Sequence, residues 1–203
     1  MKTIATLALS PTAAHLAQAS TILQNGGLVA FPTETVYGLG ADASNDHAVA
    51  KIYQAKGRPQ FNPLIVHVAN VQTARRFVQW NALADQLAQA FWPGPLTLVL
   101  PRKKDAVLSD LLSAGLPTIA IRVPKHPVAK ALLTQFGGAV AAPSANPSGQ
   151  ISPTSPAHVR SGLDGRIDAI VDGAVCTVGL ESTIVQLDDG AVLLRPGGVA
   201  VED

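Results

Sequence analysis

The chain has 203 residues, of which 47% are hydrophobic and 14% charged, and its net charge is +1. That length suits one domain able to bury roughly 70% of its unfolded surface without staples. The composition excludes a disordered tail, a coiled coil and a dedicated polycationic nucleic-acid binder, and the lone Cys176 excludes an internal disulfide.

In chain order, the start, Met1-Lys2-Thr3-Ile4 to Leu9, reads as a short strand. Thr6 and Pro11 break it up too early for a signal peptide, and no apolar run reaches the roughly 18 residues of a membrane span. A cytoplasmic protein without a membrane segment is therefore expected. Ser10 is placed as N-cap of a first helix with Pro11 at its first position, Leu16, Ile22 and Leu23 as its apolar face, and Asn25-Gly26-Gly27 as its stop. Leu28 to Phe31 is a buried strand ending at Pro32. Ser44 then caps a helix carrying Val49, Ile52, Tyr53 and Lys56, closed by Gly57 and Pro59. Leu64 to Val68 is a strand, Asn70 and Asn81 cap two helices, and Trp92-Pro93-Gly94-Pro95 turns into a strand over Leu96 to Leu100. Ile119 to Val123 is a strand, and a helix runs from Pro127 to Gly137-Gly138. Ala139 to Ala142 is a short strand leading into a Pro143 to Gly149 loop, and Pro156 opens a short helix. Strands follow at Ala169 to Val171 and Thr183 to Leu187, the latter turning at Asp188-Asp189-Gly190 into Ala191 to Leu194. The alternation gives a single α/β domain over residues 1–203 with a twisted mixed sheet flanked by helices.

Polar residues cluster just past the strand ends, where open α/β sheets bind ligands. Lys56 and Arg58 flank Gly57 at a helix end, which reads either as dipole complementation by exposed charges or as an anion clamp. Arg122 alternates with apolar neighbours, as a surface residue or as a carboxylate fork. The Ser144-Ala145-Asn146 loop is an ordinary turn or a set of donors for phosphate. His67, in an apolar strand, reads as a core histidine. Thr35, Tyr37 and Ser182 read as turn or core residues, and Cys176 as a core thiol. GxxxxGK[ST], GxGxxG and GxSxG motifs are absent, so any nucleotide must be held by scattered side chains.

One ordered set of segments carries more. Phe31-Pro32-Thr33-Glu34-Thr35-Val36-Tyr37-Gly38-Leu39, Lys56-Gly57-Arg58-Pro59 with Asn62-Pro63-Leu64, and Trp92-Pro93-Gly94-Pro95-Leu96-Thr97 come first. Pro143-Ser144-Ala145-Asn146-Pro147-Ser148-Gly149, Glu181-Ser182-Thr183 and Arg195-Pro196-Gly197 follow. With these, from about Gly26 to Gly198, the chain resembles the YrdC/TsaC family, the threonylcarbamoyl-AMP synthases of tRNA modification. The resemblance implies a YrdC-like (DHBP-synthase-like) fold around a deep, positively charged concave site. It implies a nucleotidyltransferase that joins L-threonine, bicarbonate and ATP into threonylcarbamoyl-adenylate and releases pyrophosphate. A partner transferase complex then modifies adenosine 37 of tRNA (t6A). Some relatives add a C-terminal domain, and this chain looks like the catalytic domain alone.

Residue by residue, the resemblance implies that Lys56, Arg58, Ser144 and Asn146 form the nucleotide and anion core. It makes Asn62, Thr118, Ser152 and Arg195 further ATP contacts, and Thr35, His67, Arg122, the Ala142 backbone and Ser182 threonine contacts. Mg2+ is expected to arrive with ATP, without a protein-held metal site. Two rival readings are an RNA-binding module, which would release no pyrophosphate, and a carbamoyltransferase of hydrogenase maturation, whose additional domains have no counterpart in these motifs.

Overall fold

Side-chain caps fix where the helices begin. The structure, a computed structural model, describes residues 5–59 and 62–202; residues 1–4, with the expected start of the first strand, lie outside them. The chain runs through β1 (Leu7–Leu9), α1 (Ala13–Gln24), β2 (Val29–Pro32), β3 (Tyr37–Asp42), α2 (Asp46–Lys56) and β4 (Ile65–His67). It continues through α3 (Val71–Ala74), α4 (Ala82–Phe91), β5 (Leu96–Pro101), a 3-10 turn (Asp110–Leu112), β6 (Thr118–Arg122) and α5 (Pro127–Phe136). Last come β7 (Val140–Ala141), α6 (Pro156–Leu163), β8 (Ala169–Val171), β9 (Thr183–Gln186) and β10 (Val192–Arg195).

Asn81 caps α4 and Asn70 caps α3 as expected, although α3 is a single turn. Two caps differ from the sequence reading. Thr12, not Ser10, accepts from the His15 amide at the start of α1, because Ser10 is drawn into a contact of its own amide with His15 Nδ1. Asn45, not Ser44, accepts from Ala48 at the start of α2, while Ser44 turns back onto Asp42 Oδ1. β3 is absent from the sequence reading altogether. Its glycines and the preceding threonines look like a loop, yet they form the second arm of a hairpin with β2. Gly40 has to be glycine there: a Cβ would lie 2.9 Å from the Phe31 ring.

The ten strands form one mixed sheet in the order β1-β8-β2-β3-β7-β4-β6-β5-β9-β10. Its two faces are covered unequally. Leu28 and Ala30 of the β2 segment, Tyr37, Leu39, Ile119 and Ile121 point into one continuous core with α2 and α4. Val29, Phe31, Val140 and Val171 point the other way, beneath Leu16 and Leu23 of α1 and Leu132 and Leu133 of α5. Each such leucine contributes roughly 1.5–3 kcal/mol by burial.

The α1–α5 layer covers only the β1 to β7 side of its face. His67 is the register partner of Val140 and of Arg122, so both polar side chains belong to this same face, past the edge of the helical layer. That uncovered part of the sheet is the floor of the site.

Candidate functional site

A cavity of about 440 Å³ lies on this open face, within the usual range for small-molecule sites. Its floor follows the two-residue period of the strands. Thr118, Ala120 and Arg122 of β6, Ile65 and His67 of β4, and Ile184 and Gln186 of β9 all line it, while Ile119 and Ile121 face the core. Small Ala120 leaves room where a larger side chain would fill the groove. Thr35, Ala142, Ser144 and Ser182 enter from loops beside the strands. The expectation of a site past strand ends holds for those loops; His67, Thr118 and Arg122 instead stand on the sheet face itself.

Nine of the thirteen residues singled out from the sequence line this cavity: Thr35, Arg58, His67, Thr118, Arg122, Ala142, Ser144, Ser182 and Arg195. Lys56, Asn62, Asn146 and Ser152 do not line it. Lys56 is 3% exposed, which corrects its reading as an exposed helix-end charge. Its Nζ donates to the Ser144 and Asn146 carbonyls, so it ties the Ser144–Asn146 loop to the end of α2 from behind the wall. Burial, then the neighbouring Arg58 charge, lowers its pKa to about 8. Gly57 makes the turn between them at φ +60°. Arg58 donates to the Pro63 carbonyl at 3.1 Å, and burial lowers its pKa as well. Asn146 Nδ2 donates to the Pro147 and Gln150 carbonyls, and its buried Oδ1 has no partner among the described residues.

Two glutamates that sequence reasoning left without a role hold the two best-placed arginines. Glu34 Oε1 accepts from Arg122 at 2.5 Å, and its Oε2 accepts from the Lys125 amide at 2.9 Å. Arg122 also donates from Nε to the Gly94 carbonyl and from Nη1 to Thr35 Oγ1 at 3.0 Å. Thr35 is itself bonded to Thr33, which closes the β2–β3 turn onto Val36. Glu181 accepts from Ser152 at 2.7 Å and from Arg195, which also donates to the Ser182 carbonyl. Ser182 Oγ meets Thr97 Oγ1 at 2.7 Å. Both glutamates stand inside the motif segments, one between threonines and one beside Ser182; that placement is their only signal in the sequence.

His67 is buried, and burial followed by the Arg122 charge pulls its pKa down to about 3. It is therefore neutral near pH 7. With Nδ1 facing the Ile65 carbonyl at 3.4 Å, it presents a polar but uncharged edge beside Arg122. The site thus offers fixed cations at Arg58, Arg122 and Arg195, hydroxyls at Thr35, Thr118, Ser144 and Ser182, and apolar floor positions at Ile65, Ala120 and Ile184. Such a set can bind an anionic, partly apolar small molecule by two-point contacts. Among the described residues no helix is long and apolar enough to cross a membrane. Cys176 is buried with its thiol raised to about 11, and it does not line the cavity.

A family model described as telomere recombination and named for Sua5, YciO and YrdC matches residues 21–197. A threonylcarbamoyl-AMP synthase of Bacillus subtilis is 53% identical over 196 residues, which is 96% of this chain and 56% of that protein. One from Halorhodospira halophila is 43% identical over 174 residues, 85% of this chain and 90% of that protein. The crystal structure of P. abyssi Sua5 complexed with L-threonine superposes with a TM-score of 0.94 at 43% identity, covering 97% of this chain and 59% of that one. The chain therefore spans somewhat more than half the length of the Bacillus and Pyrococcus proteins.

Proposed function

The chain belongs to the Sua5–YciO–YrdC family, and on that premise we propose that its pocket makes threonylcarbamoyl-AMP and pyrophosphate from L-threonine, bicarbonate and ATP. The observation that carries this reading is the convergence of nine sequence-predicted residues on one cavity. Relatives known as threonylcarbamoyl-AMP synthases support it, the Halorhodospira protein at nearly this chain's length. Threonine as substrate is supported by its presence in the P. abyssi complex.

Arg122 takes the threonine α-carboxylate, with Thr35, Ser182 and the Ala142 backbone around the rest of the amino acid. Arg122 is suited to this because Glu34, Thr35 and Gly94 already fix its plane. Neutral His67 presents an uncharged edge to the substrate. Arg58, Ser144 and Arg195 face the phosphates, with Thr118 as a further nucleotide contact; Ser152, bonded behind Glu181, reaches the nucleotide once that carboxylate turns aside, and Asn62 adjoins the lining Pro63. Lys56 and Asn146 shape the Ser144 loop.

No protein nucleophile is required. The threonine amine forms a C–N bond to CO2 derived from bicarbonate and loses a proton. An oxygen of the resulting carbamate attacks the α-phosphorus, and the bond to pyrophosphate breaks. Catalysis is then positioning plus charge stabilisation by the fixed arginines. Mg2+ enters with ATP as part of the substrate, since this ion is commonly held by nucleotide phosphates. On this reading the product passes to a transferase complex acting on tRNA, and the reaction is proposed to run in the cytoplasm.

The test is pyrophosphate release from ATP in bicarbonate buffer with each standard amino acid in turn. Threonine-dependent release is expected. Equal release with and without threonine overturns the reading.

A further inference from the structure

Glu181 is a carboxylate in a pocket whose wall also holds Arg58, Arg122 and Arg195. Both of its oxygens are spent, one on the Ser152 hydroxyl and one on Arg195 Nη1. These are two of the groups read above as nucleotide contacts. We propose that Glu181 is a specificity-determining residue of the phosphate end: its carboxylate holds Ser152 and Arg195 in place of a phosphate and competes with pyrophosphate for them. The inference rests on the proposed ATP reaction and deepens it.

The geometry lets the side chain leave while the frame stays. The Glu181 carbonyl accepts from the Gly198 amide at 2.9 Å, and a Cβ on Gly197 would lie 2.3 Å from that carbonyl. The main chain is therefore clamped under the Arg195–Gly198 segment, and exchange takes place by rotation of the side chain, which is 36% exposed. Arg195 keeps Nε and Nη2 on the Ser182 carbonyl throughout. Departure of Glu181 frees Nη1 and the Ser152 hydroxyl together, two donors suited to phosphate oxygens.

Burial alone would raise the Glu181 carboxyl, but Ser152 and Arg195 hold it below the usual range, so the competitor is charged near pH 7. A standing negative charge at this point favours release of the product anion. Removing it lets pyrophosphate stay.

Calorimetric titration of pyrophosphate, with and without Mg2+, into the wild-type chain and Glu181→Gln tests this. The variant is expected to bind pyrophosphate tighter by on the order of 10-fold in both conditions, the size of one charge-assisted contact. Unchanged or weaker binding overturns the proposal. Weakening confined to the Mg2+ series also overturns it, because the carboxylate would then face the metal. A wild-type chain that binds neither pyrophosphate nor ATP overturns the functional reading itself, and this proposal with it. A structure of the wild-type chain with pyrophosphate gives a readout independent of the variant's folding. Arg195 Nη1 on a phosphate oxygen with Glu181 turned outward supports the exchange, and an intact Ser152–Glu181–Arg195 contact beside bound pyrophosphate overturns it.

Discussion

Arg122 and Glu34 meet with side chains 4% and 8% exposed, whereas Arg195 and Glu181, on the same pocket, are 35% and 36% exposed. The first pair is built into the frame: Arg122 stands on β6, and each partner has further bonds, to Gly94, Thr35 and the Lys125 amide. The second hangs from the end of β10 and from a loop, and water can replace either partner. A buried pair is costly to break because the survivor is a stranded charge. A half-exposed pair is worth little to stability and is free to trade partners. One pocket thus joins a rigid end suited to a small carboxylate and an exchangeable end suited to phosphates that must come and go.

The largest expected effect breaks the rigid end. Glu34→Ala leaves Arg122 buried without its counter-ion and should cost about 3–5 kcal/mol. For a chain of this size that is a fall in Tm of roughly 6–20 °C. Thermal unfolding by circular dichroism measures it, and a loss below about 1 kcal/mol would erase the distinction between the two pairs.

Arg122→Lys sharpens the comparison at the level of ligand. A lysine point charge cannot keep the planar contacts to Thr35, Glu34 and a substrate carboxylate together. Threonine affinity should fall by about 10- to 150-fold, corresponding to roughly 1.5–3 kcal/mol, and ATP affinity by much less. Separate calorimetric titrations decide; unchanged threonine affinity would remove Arg122 from the proposed amino-acid end.

His67 extends the contrast to pH. Its folded pKa of about 3 lies below the unfolded value of 6.5, so the unfolded chain takes up the proton first. Its contribution is fully present above pH 6.5 and is lost as pH falls toward 3, by up to about 1.4 kcal/mol per unit, or about 2 kcal/mol by pH 5. Urea unfolding at pH 7 and pH 5 should show a smaller drop in His67→Gln than in the wild-type chain. An identical drop in both would mean that His67 is not held neutral.

The sequence makes most elements legible because capping asparagines, αL glycines and apolar runs act locally. It misses β3 because a strand of glycines after a threonine turn has no local signature; pairing with β2 and packing on Phe31 create it. Arg122 is visible through its alternation with Ile119 and Ile121, although the open face it occupies depends on where the α1–α5 layer stops, which is a tertiary fact. Lys56 reads as an exposed charge because helix ends usually are exposed, and its burial comes from the Ser144 loop, 88 positions away. Glu34 and Glu181 go unread for the same reason, since a carboxylate gains a role only when the fold brings an arginine to it.

The smallest expected effect is on the exchangeable end. Glu181→Gln keeps the shape and one acceptor for Ser152 while removing the charge opposite Arg195. Because both side chains are about a third exposed, water re-solvates the freed guanidinium, and the Ser182 carbonyl still accepts from it. The stability change should stay within about 1 kcal/mol, a shift of roughly 2–4 °C, and shrink further in 1 M salt, where the Debye length is about 3 Å. The pH dependence has the opposite origin to that of His67. A depressed carboxyl stabilises the fold above its unfolded pKa and loses that as pH falls through the folded value, so the variant should differ least from wild type in acid. Melting both proteins at low and high salt, and at neutral and acid pH, checks both expectations. A loss as large as that of Glu34→Ala would make Glu181 a second scaffold charge, and a carboxylate fixed that firmly could not give way to a phosphate.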